Sequence, residues 1–455
     1  MKKIAIAMML CVGLAAHAQW YTGMSQQTGL VLCIHLSDSA AELYSPLQTQ
    51  EPIPVSAWSL QGDTLRMECK SIGFKTVLVR CSPETGELPA GVRGGWRGYW
   101  KQGFMKEDIT FVPADTMFQL RRPQTPVAQY GFDEETVTTD YTDSQGNAVH
   151  LEGTLTYPKG GGRYPCIVLV SGSGQQNRDE EIMQHKPFLV LADYFASRGI
   201  AVLRYDDRGV GASSGSLDSA TTRLFAEDAE AMFNAVKGNK HVDAKRLGIG
   251  GHSEGGAIAP MVAARNKYVK FVVMLAGQGC TGLEVMVQQN EALFRSRGVS
   301  ERLCKVRGAC MRELMVMPLE SKLKDYQAVI LRHTEGLSKA EADSVELKKG
   351  MAHALKQQLT TSWMQAFIHL DPQEYLPKVK CPVLALNGTK DCQVIAAPNL
   401  ERIKALNSKA DCRSMEGLNH LFQHCTTGDA AEYMLIEETF APEAMKAVAD
   451  WILGL

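Results

Sequence analysis

Two kinds of hydrophobic patterning divide this chain. From Gln19 to about Phe118, apolar and polar residues alternate over short runs. Thr64-Leu65-Arg66-Met67-Glu68-Cys69 alternates cleanly and Thr76-Val77-Leu78-Val79-Arg80 nearly so, with Gln61-Gly62-Asp63 and Glu84-Thr85-Gly86 as turn signals. A period of two places one set of side chains on a buried face and the other in solvent, which predicts a small all-β domain over 19–120. The polar, proline-bearing stretch Arg121-Arg122-Pro123-Gln124-Thr125-Pro126 predicts an interdomain linker over 121–128.

Beyond it the rhythm changes. Glu135 to Tyr141 and His150 to Tyr157 predict a hairpin turning at Ser144-Gln145-Gly146-Asn147. Continuous apolar runs follow at Ile167-Val168-Leu169-Val170, Ile200-Ala201-Val202-Leu203, Leu247-Gly248-Ile249, Phe271-Val272-Val273-Met274-Leu275 and Val383-Leu384-Ala385-Leu386, mostly with helical segments between them. Strands buried on both faces read this way, so 129–455 is expected to be an α/β domain, a mostly parallel sheet with helices on both faces. Between about 279 and 377 no strand-like run occurs. Helical periodicity around Leu283 to Phe294, Ser300 to Met315 and Ser338 to Leu359 predicts a helical cap over the strand ends. Its last stretch, Trp363 to Pro372, is expected either to line the pocket or to anchor the cap, with anchoring favoured.

Composition narrows the function classes. The net charge is -2 over 455 residues, without a long run of like charges, so no nucleic-acid partner is expected. Lys2 and Lys3, the apolar Ile4 to Ala16 and the small-x-small Ala16-His17-Ala18 predict a secretory signal peptide over 1–18, hence a periplasmic or secreted protein. The apolar core is too short to span a bilayer, and Leu10 precedes Cys11 where lipid attachment needs a small residue, so no membrane anchor is expected. Without Cys11, eleven of the twelve cysteines remain, an odd number that leaves at least one unpaired. Cys33, Cys69 and Cys81 are available to pair within the first domain. No C-x-x-C pair or zinc-type spacing occurs.

The chemistry concentrates at Gly251-His252-Ser253-Glu254-Gly255, which fits G-x-S-x-G, follows the apolar run ending at Gly250, and precedes the small, apolar Gly256 to Ala264. Strand, sharp turn and helix around a serine make a nucleophile elbow, with glycines where bulk would not fit. A serine hydroxyl needs a base, and the base needs a group that fixes its tautomer. Asp391, in the turn Asn387-Gly388-Thr389-Lys390-Asp391 past a strand end, is the predicted acid. Its rivals Asp206 and Asp207 precede the serine, and Asp206-Asp207-Arg208-Gly209-Val210-Gly211 reads as a loop held by an internal Asp-Arg pair. His420 is the predicted base, with His424 as competitor. Leu421 stands where a metalloprotease helix needs glutamate, so no metal is expected at this pair. His252 is expected to point into the scaffold. The oxyanion needs two backbone N–H donors, assigned to Glu254 and to Ser173, with Gly174 close behind, in Ser171-Gly172-Ser173-Gly174-Gln175-Gln176-Asn177-Arg178-Asp179. That loop lacks the lysine of a phosphate cradle, and no cofactor is expected.

With these residues assembled, the segment from about Tyr130 to Leu455 resembles the α/β-hydrolase superfamily, most closely its EstD-type bacterial carboxylesterases. The resemblance rests on the Ser171 to Asp179 loop, Asp206 to Gly211, the elbow, Trp363 to Pro372, Gly388-Thr389-Lys390-Asp391 and Leu418-Asn419-His420. It implies Ser253, Asp391 and His420 as nucleophile, acid and base, with oxyanion donors at Ser173 and Glu254. The family loop usually carries proline and aspartate where this chain has Gln175 and Asn177. The expected protein is an exported serine hydrolase that cleaves small-molecule carboxylic esters through an acyl-enzyme, preceded by a small all-β domain. Two alternatives stand beside it. One is a serine peptidase or thioesterase on the same fold, for which Glu284, Glu291 and Glu313 are available to grip an amino terminus. The other is a non-catalytic glycan-binding protein using Trp58, Trp96, Tyr99 and Trp100 of the front domain.

Overall fold

The computed structural model describes residues 18–25, 30–47, 49–81, 94–103, 105–127, 131–217 and 220–455. Apart from Ala18, the expected leader lies outside them, as does the turn at Glu84-Thr85-Gly86. The chain divides into two compact units between Arg121 and Arg122.

In the first unit, strands β1 (Gln19–Met24), β2 (Val31–Leu36), β3 (Ala41–Ser45), β4 (Thr49–Ile53), β5 (Ala57–Gln61), β6 (Thr64–Cys69), β7 (Phe74–Cys81), β8 (Gly95–Gln102) and β9 (Met105–Ala114) form one antiparallel sheet. Its order is β4-β3-β2-β1-β9-β8-β7-β6-β5. Alternation along β8 places Trp96 and Trp100 on one face, where both are 1% exposed beside Leu65, Phe74 and Phe111. Their burial leaves neither indole a face on which a sugar ring could stack: period-two patterning has turned them into core. Trp58 stays at the sheet edge, about a third exposed. Cys33 and Cys69 are buried free thiols rather than partners in a disulfide.

The second unit opens with Arg122 and Gln124, from the stretch read as linker. Arg122 donates to the carbonyls of Met183, Met434 and Ile436, and Gln124 to that of Phe440. The expected hairpin follows as β10 (Phe132–Thr142) and β11 (Ala148–Pro158), closed by Asp143, whose carboxylate accepts from the Gln145 and Asn147 amides. Strands β12 (Tyr164–Val170), β13 (Ala201–Tyr205), β14 (Val242–His252), β15 (Val272–Leu275), β16 (Val383–Gly388) and β17 (Asp411–Met415) complete the sheet. The order is β10-β11-β13-β12-β14-β15-β16-β17, parallel from β13 onward. The chain runs from β12 to one side and then crosses to the other, so the ends of β12 and β14 flank a topological switch point, where sheets of this kind bind ligands.

Both faces of the sheet are covered. Cys166, Val168 and Val170 pack toward α2 (Thr222–Val236) and α3 (Glu254–Arg265), while Ile167 and Leu169 pack toward α1 (Pro187–Ser197) and, at the chain end, a helix over Pro442–Leu453. Between β15 and β16 stand the cap helices α4 (Gly282–Ser296), α5 (Glu301–Met315), α6 (Leu323–Thr334), α7 (Lys339–Ser344), α8 (Ala352–Leu359) and α9 (Ser362–Ile368). Beyond β16 come α10 (Ala396–Leu406) and the final helix, now α11. The cap has an apolar core of its own around Met311, Leu314, Tyr326, Ile330, Leu347 and Leu355. Helix α6 was not predicted, and the single helical run read over 338–359 is broken, with Glu346 at φ 52° between its two parts. The result is an α/β-hydrolase fold with a helical cap, preceded by an all-β unit.

Candidate active site

Strand β14 ends at His252 and α3 begins at Glu254, leaving Ser253 alone between them. Its backbone is strained, at φ 55° and ψ -116°, which no β-carbon-bearing residue adopts without support. The support is local. The Ser253 amide donates to the Leu275 carbonyl at 2.8 Å. A Cβ on Gly255 would sit 2.0 Å from the Val170 carbonyl oxygen, so only glycine lets the helix start this close to β12.

Asp391 and His420 meet beside this elbow. His420 Nδ1 lies 2.7 Å from Asp391 Oδ2, with both side chains buried. The other carboxylate oxygen accepts from the Gln393 and Val394 amides at 2.7 and 2.9 Å, which fixes the acid. Asn419 shapes the histidine loop, its side-chain oxygen accepting from the Leu421 and Gln423 amides. His420 Nε2 and Ser253 Oγ make no hydrogen bond to each other in this structure. His424 turns elsewhere, to Glu438 and Glu443 at 2.9 Å each. Among the described residues no cluster of three or more His, Cys, Asp or Glu side chains is arranged to hold a metal ion.

The loop after β12 passes over the serine: a Cβ on Gly172 would lie 3.2 Å from Ser253 Cβ. Asp207 holds this loop from below, accepting from Ser171 Oγ at 2.6 Å and from the Gln176 amide at 3.1 Å. Burial pushes the Asp207 carboxyl up to about 8, against those hydrogen bonds. Ser173 shares a cavity wall with Ser253. The expected Asp-Arg pair within Asp206 to Gly211 is not formed. Asp206 pairs with Arg178 of the neighbouring loop at 2.6 Å, whereas Arg208 reaches Asp228 at 2.7 Å and Asp143 at 3.1 Å. Arg178 is long enough to bridge the two loops, and Arg208 is drawn into the only slightly exposed carboxylates beneath.

Sequence reasoning missed a second buried pair. His252 does point into the scaffold, but into a specific contact: Nδ1 lies 2.9 Å from Glu180 Oε1, and Nε2 lies 2.8 Å from the main-chain carbonyl of His420. The main-chain carbonyl can only accept, so Nε2 donates to it, and Nδ1 faces the Glu180 carboxyl. Burial opposes charge on the imidazole, yet the Glu180 carboxylate and the His420 carbonyl outweigh it and raise the His252 pKa above its ordinary value. The same Glu180 oxygen accepts from the Gly172 amide at 2.6 Å. One buried carboxylate thus ties the loop over the serine to the strand before it.

The cap closes the site from above. Trp363 on α9 donates its indole N–H to both oxygens of the buried Glu254 carboxylate, at 3.0 and 3.1 Å, and Thr222 Oγ1 donates to the same group at 2.6 Å. Burial raises the Glu254 pKa despite these bonds. Trp363, Met364 and Phe367 also line a cavity of about 200 Å³ onto which Ser253 opens. The stretch for which anchoring is the favoured of two readings thus also lines the pocket, because α9 lies over the elbow. On the other side of Trp363 is a more open cleft of about 560 Å³, walled by Ser173, Gln175, Leu217 and Phe225.

Known proteins similar to this chain include members of one family and several uncharacterised proteins. The family model described as serine aminopeptidase, S33, matches residues 185–424, more than half of the chain. Esterase EstD of Thermotoga maritima is 28% identical over 274 residues, which cover 60% of this chain and 58% of the esterase, so the match spans less than two thirds of that relative. An uncharacterised 31.7 kDa protein from the traX-finO intergenic region of Escherichia coli is 24% identical over 315 residues, 69% of this chain and 97% of its own length. The crystal structure of a hypothetical protein from Pseudomonas aeruginosa superimposes with a TM-score of 0.45 at 16% identity, covering 75% of this chain and 99% of that one. The family match over more than half of the chain, on a capped and mostly parallel sheet, makes this chain a member of the serine aminopeptidase S33 family within the α/β-hydrolase superfamily.

Proposed function

We propose that the protein is an exported serine esterase that cleaves carboxylic esters through an acyl-enzyme. The observation that carries this reading is the buried Asp391-His420 pair, 2.7 Å apart, beside a strained serine that opens onto a cavity. Ser253 Oγ attacks the carbonyl carbon as its proton passes to His420 Nε2, while Asp391 holds Nδ1–H and stabilises the imidazolium. The carbonyl oxygen, now negative, is received by the Ser173 and Glu254 amides, the latter at the start of a helix where negative charge is favoured. Collapse expels the alcohol, which takes the proton from His420, and water attacking the acyl-serine reverses the sequence with release of the acid.

An aminopeptidase needs a carboxylate free to grip the substrate's amino group. The three candidates are committed elsewhere: Glu284 caps α4 through Thr281, Glu291 pairs with Lys305, and Glu313 pairs with Arg332 and His333. The carboxylate that does line the cavity, Glu254, is held by Trp363 and Thr222. These commitments favour an ester over an amide with a free amino terminus. The test is Ser253→Ala against p-nitrophenyl acetate together with labelling by a fluorophosphonate. Loss of about three or more orders of magnitude in kcat and of all labelling is expected, and unchanged hydrolysis would reject the assignment.

A further inference from the structure

Besides the cavity onto which Ser253 opens, the site holds the wider cleft on the other side of Trp363. Ser173 and Trp363 line both, so the cleft begins at the loop that carries the proposed oxyanion donor. At about 560 Å³ it lies within the range of about 300–1,000 Å³ usual for small-molecule sites, whereas the cavity, at about 200 Å³, lies below it. Leu217, Ala220, Phe225 and Trp363 give the cleft its apolar surface. Phe225 and Trp363 are both half-buried, so each ring keeps area that a ligand can cover.

One carboxylate ties down the helices that carry these two rings. Glu254 accepts from Thr222 Oγ1 on α2, the helix of Phe225, and from the Trp363 indole on α9. The residue after the nucleophile therefore links both walls of the cleft to the elbow. Trp363 has little freedom left. One face of its indole stacks on Phe367, with ring centroids 5.1 Å and planes 19° apart, and its N–H edge is bound to Glu254. Phe367 lines the serine cavity and not the cleft, so Trp363 offers the cleft its opposite face and its carbon edge. An aromatic group that meets another ring offset-stacked or edge-on gains about two- to tenfold in affinity beyond the area it buries, whereas a saturated group of the same size gains the area alone.

We infer that this cleft is the subsite for an aromatic ring of the substrate, and that Phe225 and Trp363 determine specificity by packing against that ring. The inference rests on the esterase reading above and names the class of ester: one with an aryl group close to the scissile carbonyl. The ring belongs either to the acyl chain or to the alcohol, two sources with the same chemistry.

The experiment compares aromatic esters with their saturated counterparts on the full-length protein. The acyl arm pairs p-nitrophenyl phenylacetate with p-nitrophenyl cyclohexylacetate, and the alcohol arm pairs benzyl acetate with cyclohexylmethyl acetate. Dividing each kcat/KM by the rate of alkaline hydrolysis of the same ester removes its intrinsic reactivity. In one arm the wild type should favour the aromatic ester about threefold or more, and Trp363→Leu and Phe225→Leu should each abolish most of that preference. Trp363→Phe loses the same bond to Glu254 as Trp363→Leu but keeps a ring, so it should retain the preference even where its overall activity falls. Phe225→Leu leaves that bond intact, so a poorly folding Trp363→Leu does not leave the question open. Absence of an aromatic preference in both arms, a preference that survives in both leucine variants, or an equal loss in Trp363→Phe and Trp363→Leu overturns the inference. Fluorophosphonate labelling separates the two levels: labelling at Ser253 without an aromatic preference removes only the subsite, whereas no labelling of the wild type removes the esterase reading and the subsite with it.

Discussion

His252 Nε2 lies 2.8 Å from the main-chain carbonyl of His420, so the residue before the candidate nucleophile holds the backbone of the candidate base. The two histidine rings stand with centroids 4.7 Å apart, and Glu180 completes the row by fixing the far side of His252. Through this contact the elbow and the loop after β17 share one frame.

Replacing His252 removes that frame without touching substrate. His252→Ala should lower kcat about 10- to 100-fold with KM nearly unchanged, because small misplacements of a reacting group cost that much. His252→Gln, which keeps one donor, should recover part of the loss. A steady-state series on one activated ester checks the split, and equal effects on KM and kcat would count against a positioning role.

Stability should fall as the pH rises through neutrality. Asp207 has a folded-state pKa of about 8 against an ordinary 3.8, so the folded form retains a proton that the unfolded form has released. A raised pKa contributes stability below the lower value and loses it as pH passes the higher one. His252 acts in the same direction, its raised pKa favouring the folded state up to and beyond the usual 6.5. Urea midpoints of the wild type should therefore decline from pH 5 to pH 9, and Asp207→Asn should flatten the curve. An unchanged slope in that variant would show that the carboxyl is ionised throughout.

Trp363 should contribute to both stability and substrate capture. Trp363→Phe keeps the ring but leaves the buried Glu254 carboxylate with one donor fewer, a loss of about 1–3 kcal/mol. The expected outcome is a lower unfolding midpoint and a raised KM, checked by denaturant unfolding and kinetics on the same preparation.

Gly255→Ala should not yield the native protein. Its Cβ would overlap the Val170 carbonyl oxygen at 2.0 Å, a backbone contact that no rotamer relieves. A loss above about 4 kcal/mol is expected. Near-native circular dichroism and melting would mean that β12 and α3 separate more easily than their packing implies.

The sequence makes much of this legible because strands buried on both faces are written as contiguous apolar runs, and Ser253, Asp391 and His420 each lie at or just past a strand end. Local order also marked the elbow by its glycines, although only Gly251 answers to a near neighbour, Gly255, whereas Gly255 itself answers to the distant Val170 carbonyl. What was hidden depends on contacts between distant residues. Glu180 and His252 are 72 positions apart, and Trp363 and Glu254 are 109 apart, and neither pair leaves a periodic trace. Arg178 and Arg208 show the same limit: adjacency in sequence suggested one partner for Asp206, and the folded loops chose the other. Helix α6 was missed although its buried Tyr326, Val329 and Ile330 face the same cap core as the expected α5.

That separate core has an implication for how the protein changes over time. Since Met311, Leu314, Tyr326 and Ile330 bury one another, the cap is free to accept substitutions, or to be exchanged, with little strain passed to the strands that hold the reacting groups. Selectivity and reactivity are thereby placed under partly separate mutational control, joined where an indole meets a carboxylate one residue past the serine and where Arg297 at the end of α4 meets Asp429.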